Sequence, residues 1–159
     1  MMTLACKVVK ALGDRTVATA ESCTGGMIGG LLTAVPGASR VFKGGVISYT
    51  NEIKNRLLGV DGELLETCGA VSAPVAEAMA RGARAALGTD LAVSVTGLAG
   101  PGGDEYGNPV GTVFVGFADK KTVRAEEYHF AGDREAVRQQ AVRAALEGIL
   151  RMCKDFKED

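Results

Sequence analysis

The sequence predicts an α/β fold, a three-layer α/β/α sandwich around a mixed, mostly parallel sheet of about five strands. Three observations point to it. Strand-like and helix-like segments alternate through the first two thirds of the chain, the order that builds parallel βα units. Residues 91–96 read LAVSVT, an apolar run short enough for a strand and suited to burial on both faces. The last third holds two strand-like runs joined by Asp119-Lys120-Lys121, a turn short enough for an antiparallel hairpin, and then one long helix.

The elements follow in order. Leu4, Val8 and Leu12 share one face of a helix over 3–12, and Gly13 stops it. Thr16, Val17 and Thr19 favour a strand at 16–20, followed by a helix at about 24–34 that ends before Pro36-Gly37. Residues 42–49 read as a second strand with a glycine-weakened entry, and Asn51 is placed to cap a short helix carrying Lys54 and Leu57. Ser72 is placed to cap a helix over 73–87, with Pro74 in its first turn and Gly88 past its end. After strand 91–96, the stretch GLAGPGGDEYGNPVG from Gly97 to Gly111 is too rich in glycine and proline for regular structure. Strands 112–118 and 122–130 precede a helix from near Asp133 to about Cys153. No internal repeat or linker divides the chain, so one domain over 1–159 is expected.

Composition narrows the partners. The chain has 159 residues, is 47% hydrophobic and carries a net charge of −1 with both signs interspersed, so no nucleic-acid footprint is visible. No apolar run is long enough to span a bilayer, and Lys7 and Lys10 interrupt the N-terminal segment where a secretion signal would be apolar. A cytoplasmic protein acting on a small molecule is expected. The four cysteines (Cys6, Cys23, Cys68, Cys153) lie far apart, and the single histidine, His129, is not spaced to join them. Neither a disulfide framework nor a metal site is expected, and no cofactor.

Residues 16–26, TVATAESCTGG, carry the strongest functional signal. They describe a strand, a tight turn and a helix start, with Ser22 at the turn. The N–H groups at a helix start can hold a phosphate or stabilise an oxyanion. Ser22 is therefore a candidate nucleophile beside candidate donors at Cys23, Thr24 and Gly25. The same residues also fit a serine that only caps a helix and glycines that only permit close packing.

Ligands of open α/β sheets bind beyond the carboxyl ends of the strands, where Ser22, Tyr49, Lys54 and Thr96 could share a crevice. A serine needs a base. His129 lies on an alternating strand without an orienting carboxylate, whereas a desolvated lysine can serve. Lys54 is placed to do so, although a solvated surface lysine is the simpler alternative. Gly97, Gly100, Gly102 and Gly103 suit backbone contact with a polar ligand. Arg134 and Arg138, one turn apart at a helix start, suit a phosphate, or else pairing with Glu135.

Several segments stand in one recognisable order: AESCTGG, FKGGVISYTNEIKNRLLGV, GAVS, VTGLAGPGG, PVGTVFVG and FAGDREAVR. Together they resemble the nicotinamide-nucleotide amidohydrolases, a domain also found as the C-terminal part of the competence-damage-inducible protein CinA. The resemblance runs from about residue 4 to 152, and at this length it is closest to the stand-alone amidase. It implies a three-layer sandwich with a mixed five-stranded sheet, usually a homodimer. The implied activity is hydrolysis of the carboxamide of nicotinamide mononucleotide to nicotinic acid mononucleotide and ammonia, without metal or cofactor, in pyridine nucleotide recycling. Carried onto this chain, the nucleophile is Ser22 and the base Lys54, with Tyr49 and Thr96 assisting proton transfer or orienting the amide. Cys23, Thr24 and Gly25 would stabilise the oxyanion. Gly97, Gly100, Gly102, Gly103, Arg134 and Arg138 would hold the ribose phosphate. Two other classes fit the same residues: a non-catalytic nucleotide-binding regulatory module of the CinA type, and a hydrolase using the Cys23 thiol.

Overall fold

The computed structural model describes residues 1–155. Its elements are α1 (Met2–Leu12), β1 (Val17–Glu21), α2 (Met27–Thr33), a 3₁₀ turn (Ala38–Arg40), β2 (Phe42–Ile47), α3 (Asn51–Leu58), α4 (Gly62–Cys68), α5 (Ala73–Leu87), β3 (Leu91–Gly97), β4 (Thr112–Ala118), β5 (Val123–His129) and α6 (Arg134–Asp155). The five strands form one sheet in the order β2-β1-β3-β4-β5. β1 pairs in parallel with β2 and β3, while β3–β4 and β4–β5 are antiparallel. Four strands thus run one way and only β4 is reversed, yet the pairings divide evenly between parallel and antiparallel. The Asp119–Thr122 turn after β4 holds no helix, so β5 can only return alongside it.

Strand alternation separates two cores. Val17 of β1, Leu91, Val93 and Val95 of β3, and Val113, Val115 and Phe117 of β4 face α1, α2 and α6. Ala18, Ala20 and Ala92 face α3, α4 and α5. The second face carries small residues because α5 lies close against it. Ser94 Oγ donates to the Ala76 carbonyl at 2.6 Å, and a Cβ at Gly116 would stand 2.3 Å from that oxygen. β3 is buried on both faces, as the apolar run at 91–96 predicts, and so are its neighbours β1 and β4.

Three local expectations change. α2 begins at Met27 rather than near 24, because residues 22–26 form a separate turn with Gly25 and Gly26 at φ 58° and 98°. Thr50, not Asn51, caps α3: its hydroxyl accepts from the Ile53 N–H at 3.3 Å. Ser72 occupies the N-cap of α5, but its hydroxyl donates to the Gly69 carbonyl and makes no cap bond. The structure also adds α4, capped by Asp61, whose side chain accepts from the Glu63 N–H.

Candidate active site

The carboxyl ends of β1, β2 and β3 meet at one point. The Ser22 N–H donates to the Val95 carbonyl at 3.0 Å, and the Ser48 N–H donates to the Glu21 carbonyl at 2.8 Å. Ser22 is thereby fixed just beyond β1, with β3 on one side and the exit of β2 on the other. β2 stops at Ile47, leaving Ser48 and Tyr49 to turn the chain into α3.

Lys54 and Leu58, one turn apart, are the buried face of α3. Lys54 is 1% exposed, so the expected base is no surface lysine. Its Nζ lies 3.1 Å from Ser22 Oγ, 2.8 Å from the Ser48 carbonyl and 3.5 Å from the Tyr49 carbonyl. Among the described residues no carboxylate pairs with it, and burial pushes its ammonium down from 10.5 to about 8, opposed in part by the Cys23 thiol. Three oxygens thus surround Nζ and accept from the three N–H donors of the ammonium; once a proton is lost, the amine lone pair can turn to the Ser22 hydroxyl, which can itself donate.

The neighbouring thiol behaves differently. Cys23 is almost fully buried, and that burial pushes its pKa up to about 11, against lesser effects from its own N–H, Lys54 and Arg138. Near neutral pH it is a thiol, not a thiolate, which weakens the cysteine-hydrolase alternative.

A cavity of about 380 Å³ opens over this dyad, within the range of small-molecule sites. Ser22, Cys23 and Lys54 lie on its lining with Tyr49, Asn51, Ala70, Val71, Thr96, Gly97, Gly100, Gly102 and Arg134. The Thr96 hydroxyl donates to the Ala70 carbonyl at 2.8 Å, so it presents only acceptor lone pairs to the cavity. Tyr49 is 61% exposed at the rim, where its hydroxyl accepts from Arg134 at 3.3 Å. Arg134 also donates to the Gly100 carbonyl at 2.6 Å, tying the first turn of α6 to the glycine-rich loop.

Four expected contact residues lie off the cavity lining. The Thr24 side chain is fully buried and donates to Glu21. The Gly25 N–H is taken by the Ser22 carbonyl at 3.1 Å, so it is no free oxyanion donor. A Cβ at Gly103 would stand 2.8 Å from the Asn108 carbonyl, so this glycine packs within the loop. Arg138 turns inward, its Nε donating to the Cys23 carbonyl at 3.0 Å while its Nη1 pairs with Glu135 at 3.4 Å. The guanidinium is bound to the turn at Ser22 and Cys23 and to Glu135 rather than directed at the cavity.

The sequence reading missed two groups. The carbonyls of Ser48 and Tyr49 hold Lys54, and backbone acceptors leave no mark on residue identity. Ala70 and Val71 form a wall, brought in by Thr96 and by Asn108, whose Nδ2 donates to the Val71 carbonyl at 3.1 Å. His129 sits on the edge strand β5, beside Glu127 at 3.3 Å and off the cavity. Among the described residues no group of three or more histidines, cysteines or carboxylates is placed to hold a metal ion, and no helix is long and apolar enough to cross a membrane.

Comparison with known proteins agrees with this architecture. A CinA-like protein of Geobacter metallireducens is 52% identical over 136 residues, covering 86% of this chain and 33% of that protein. The chain thus spans about a third of the length of the CinA-like relatives it matches. The nicotinamide-nucleotide amidohydrolase PncC of Pseudomonas putida is also 52% identical over 136 residues, with 86% of this chain and 85% of that one covered. A CinA superfamily protein from Klebsiella pneumoniae superposes with a TM-score of 0.94 at 33% identity, covering 97% of this chain and 98% of its own. The family profile named CinA C-terminal domain matches residues 2–153. The chain belongs to the CinA C-terminal domain family.

Proposed function

We propose that this chain is a nicotinamide-nucleotide amidase that hydrolyses the carboxamide of nicotinamide mononucleotide through a Ser22 nucleophile and a Lys54 base. The observation that carries the reading is the 3.1 Å contact between Lys54 Nζ and Ser22 Oγ, made by a lysine that is buried and has no carboxylate partner among the described residues. The similarity to the Pseudomonas putida amidohydrolase supplies the substrate class.

Neutral Lys54 takes the Ser22 proton as Oγ forms a bond to the carboxamide carbon, and the C=O electron pair moves onto oxygen. The Cys23 N–H makes no hydrogen bond to another described residue and, with Cys23 on the cavity lining, is the available donor for that oxyanion. Thr96, with its own proton committed to Ala70, accepts from the carboxamide NH₂ and orients it. The Lys54 ammonium, steadied by the Ser48 and Tyr49 carbonyls, returns the proton to nitrogen, the C–N bond breaks and ammonia leaves. Water then attacks the Ser22 ester, giving its proton to Lys54, and nicotinic acid mononucleotide departs with Ser22 restored. Arg134 and the Gly100–Gly102 backbone at the mouth would hold the phosphate, turning remote binding into orientation at the amide.

A coupled ammonia assay tests this reading. The parent protein is expected to release ammonia from nicotinamide mononucleotide, Ser22→Ala to release none, and Cys23→Ala to keep most of the activity. A parent protein that binds the nucleotide without releasing ammonia would instead be a binding module.

A further inference from the structure

Glu21 is the last residue of β1, directly before the nucleophile, and is 1% exposed. A carboxylate is rarely buried unless its oxygens are satisfied. Here both are, entirely by neutral donors from the following segment. Oε2 accepts from the Thr24 hydroxyl at 2.6 Å, the Gly26 N–H at 3.1 Å and the Ile28 N–H at 3.1 Å, while Oε1 accepts from the Gly29 N–H at 2.9 Å. The chain from 21 to 29 is wound around one side chain.

Two consequences follow for the site. First, the free N–H groups at the start of α2 are used by Glu21, so this helix end is closed to a substrate phosphate. Second, the Glu21–Thr24 hydrogen bond closes a loop that contains only Ser22 and Cys23 between its two ends. Glu21 is held within the sheet between β2 and β3, and Thr24 is held by Glu21. The peptide carrying the Ser22 hydroxyl and the Cys23 N–H group is therefore fixed at both ends. Arg138 clamps the middle of the loop through the Cys23 carbonyl.

We infer that Glu21 is a positioning residue for the reaction, whose carboxylate sets the geometry of the Ser22 hydroxyl and the Cys23 oxyanion donor through the Thr24 hydroxyl and the amides of α2. It touches no substrate. This rests on the amidase reading for its substrate, but the geometry of the nucleophile can be tested without it. Misplacing a reacting group by about 1 Å costs on the order of a hundredfold in rate.

The experiment compares the parent with Glu21→Gln, Thr24→Val and Thr24→Ser, by turnover of nicotinamide mononucleotide and by the rate at which a fluorophosphonate labels Ser22. In Glu21→Gln both kcat and the labelling rate are expected to fall about a hundredfold with KM within about threefold. Thr24→Val removes one hydrogen bond to the carboxylate and should lose about tenfold in both, with Thr24→Ser restoring the parent rates. A cap that only stabilised the fold would lower the melting temperature and leave kcat, KM and labelling unchanged below it. Parent-like labelling in Thr24→Val would overturn the proposal even if Glu21→Gln failed to fold, and so would a rise confined to KM. A parent labelled at Ser22 but releasing no ammonia would sink the amidase reading alone. A parent not labelled at all would remove the nucleophile and the positioning role together.

Discussion

In the proposed reaction Lys54 is the base, and it is a cation buried with no anion paired to it among the described residues. With its pKa lowered to about 8, about a tenth of the molecules carry the neutral amine at pH 7, and half do at pH 8. The neutral form is the base, so kcat should rise with pH along a limb whose midpoint lies near 8 and then level off. A pH–rate profile reads this directly, and a flat profile between pH 6 and 9 would mean that another group takes the proton. Lys54→Met should lower kcat by roughly a hundred- to ten-thousandfold. Lys54→Arg should not recover it, because a guanidinium stays protonated at any working pH. Ser22 and Lys54 were legible in the sequence from the strand–turn–helix pattern and the family-like segments. The Glu21 cap left only a faint mark, one charged residue closing an otherwise uncharged strand. Arg138 misled for a physical reason: spacing on a helix tells which way a side chain faces, but not that a backbone carbonyl 115 residues away will take it.

At the level of elements, the site depends on how tightly α3 is seated. Gly82 in the middle of α5 meets the last residue of α3, and a Cβ there would stand 1.9 Å from the Leu58 carbonyl. Backbone cannot yield as a side chain can, so Gly82→Ala must push α3 outward. The substitution should cost about 1–3 kcal/mol of stability. Because Lys54 sits one turn before Leu58, kcat should fall as well, by on the order of tenfold or more. Chemical denaturation and steady-state kinetics on the same sample check both; full activity in a destabilised variant would show that α3 and α5 can separate without moving Lys54. The strands and long helices were readable from apolar periodicity and glycine stops. α4 was not, because its seven residues bury a single leucine and show no period. The α2 boundary shifted because the N–H groups that would start the helix at 24 are drawn to a side chain that local propensity does not register.

Across the whole molecule, the fold gathers residues that are far apart in sequence at one end of three parallel strands. The sequence made that convergence expectable for Ser22, Tyr49, Lys54 and Thr96, since parallel strands place their carboxyl ends together. It could not reveal the wall at Ala70 and Val71, which rests on hydrogen bonds from Thr96 and Asn108 across 26 and 37 residues. Arg134 at the cavity mouth and Arg138 behind the nucleophile turn make opposite predictions. Arg134→Ala should raise KM for nicotinamide mononucleotide and narrow its advantage over the unphosphorylated riboside. Arg138→Ala should lower kcat while leaving that advantage intact. Measuring both substrates on both variants separates the roles, and an unchanged substrate ratio in Arg134→Ala would place the phosphate elsewhere.

The central claim is that the Ser22 oxygen carries the acyl group from the nucleotide. Rapid mixing of the parent protein with nicotinamide mononucleotide, an acid quench within one turnover and peptide mapping by mass spectrometry tests it most directly. The account predicts an ester on the peptide carrying Ser22, at the serine oxygen, absent from Ser22→Ala and reduced in Lys54→Met. An adduct on Cys23, or turnover that proceeds in Ser22→Ala, would contradict it.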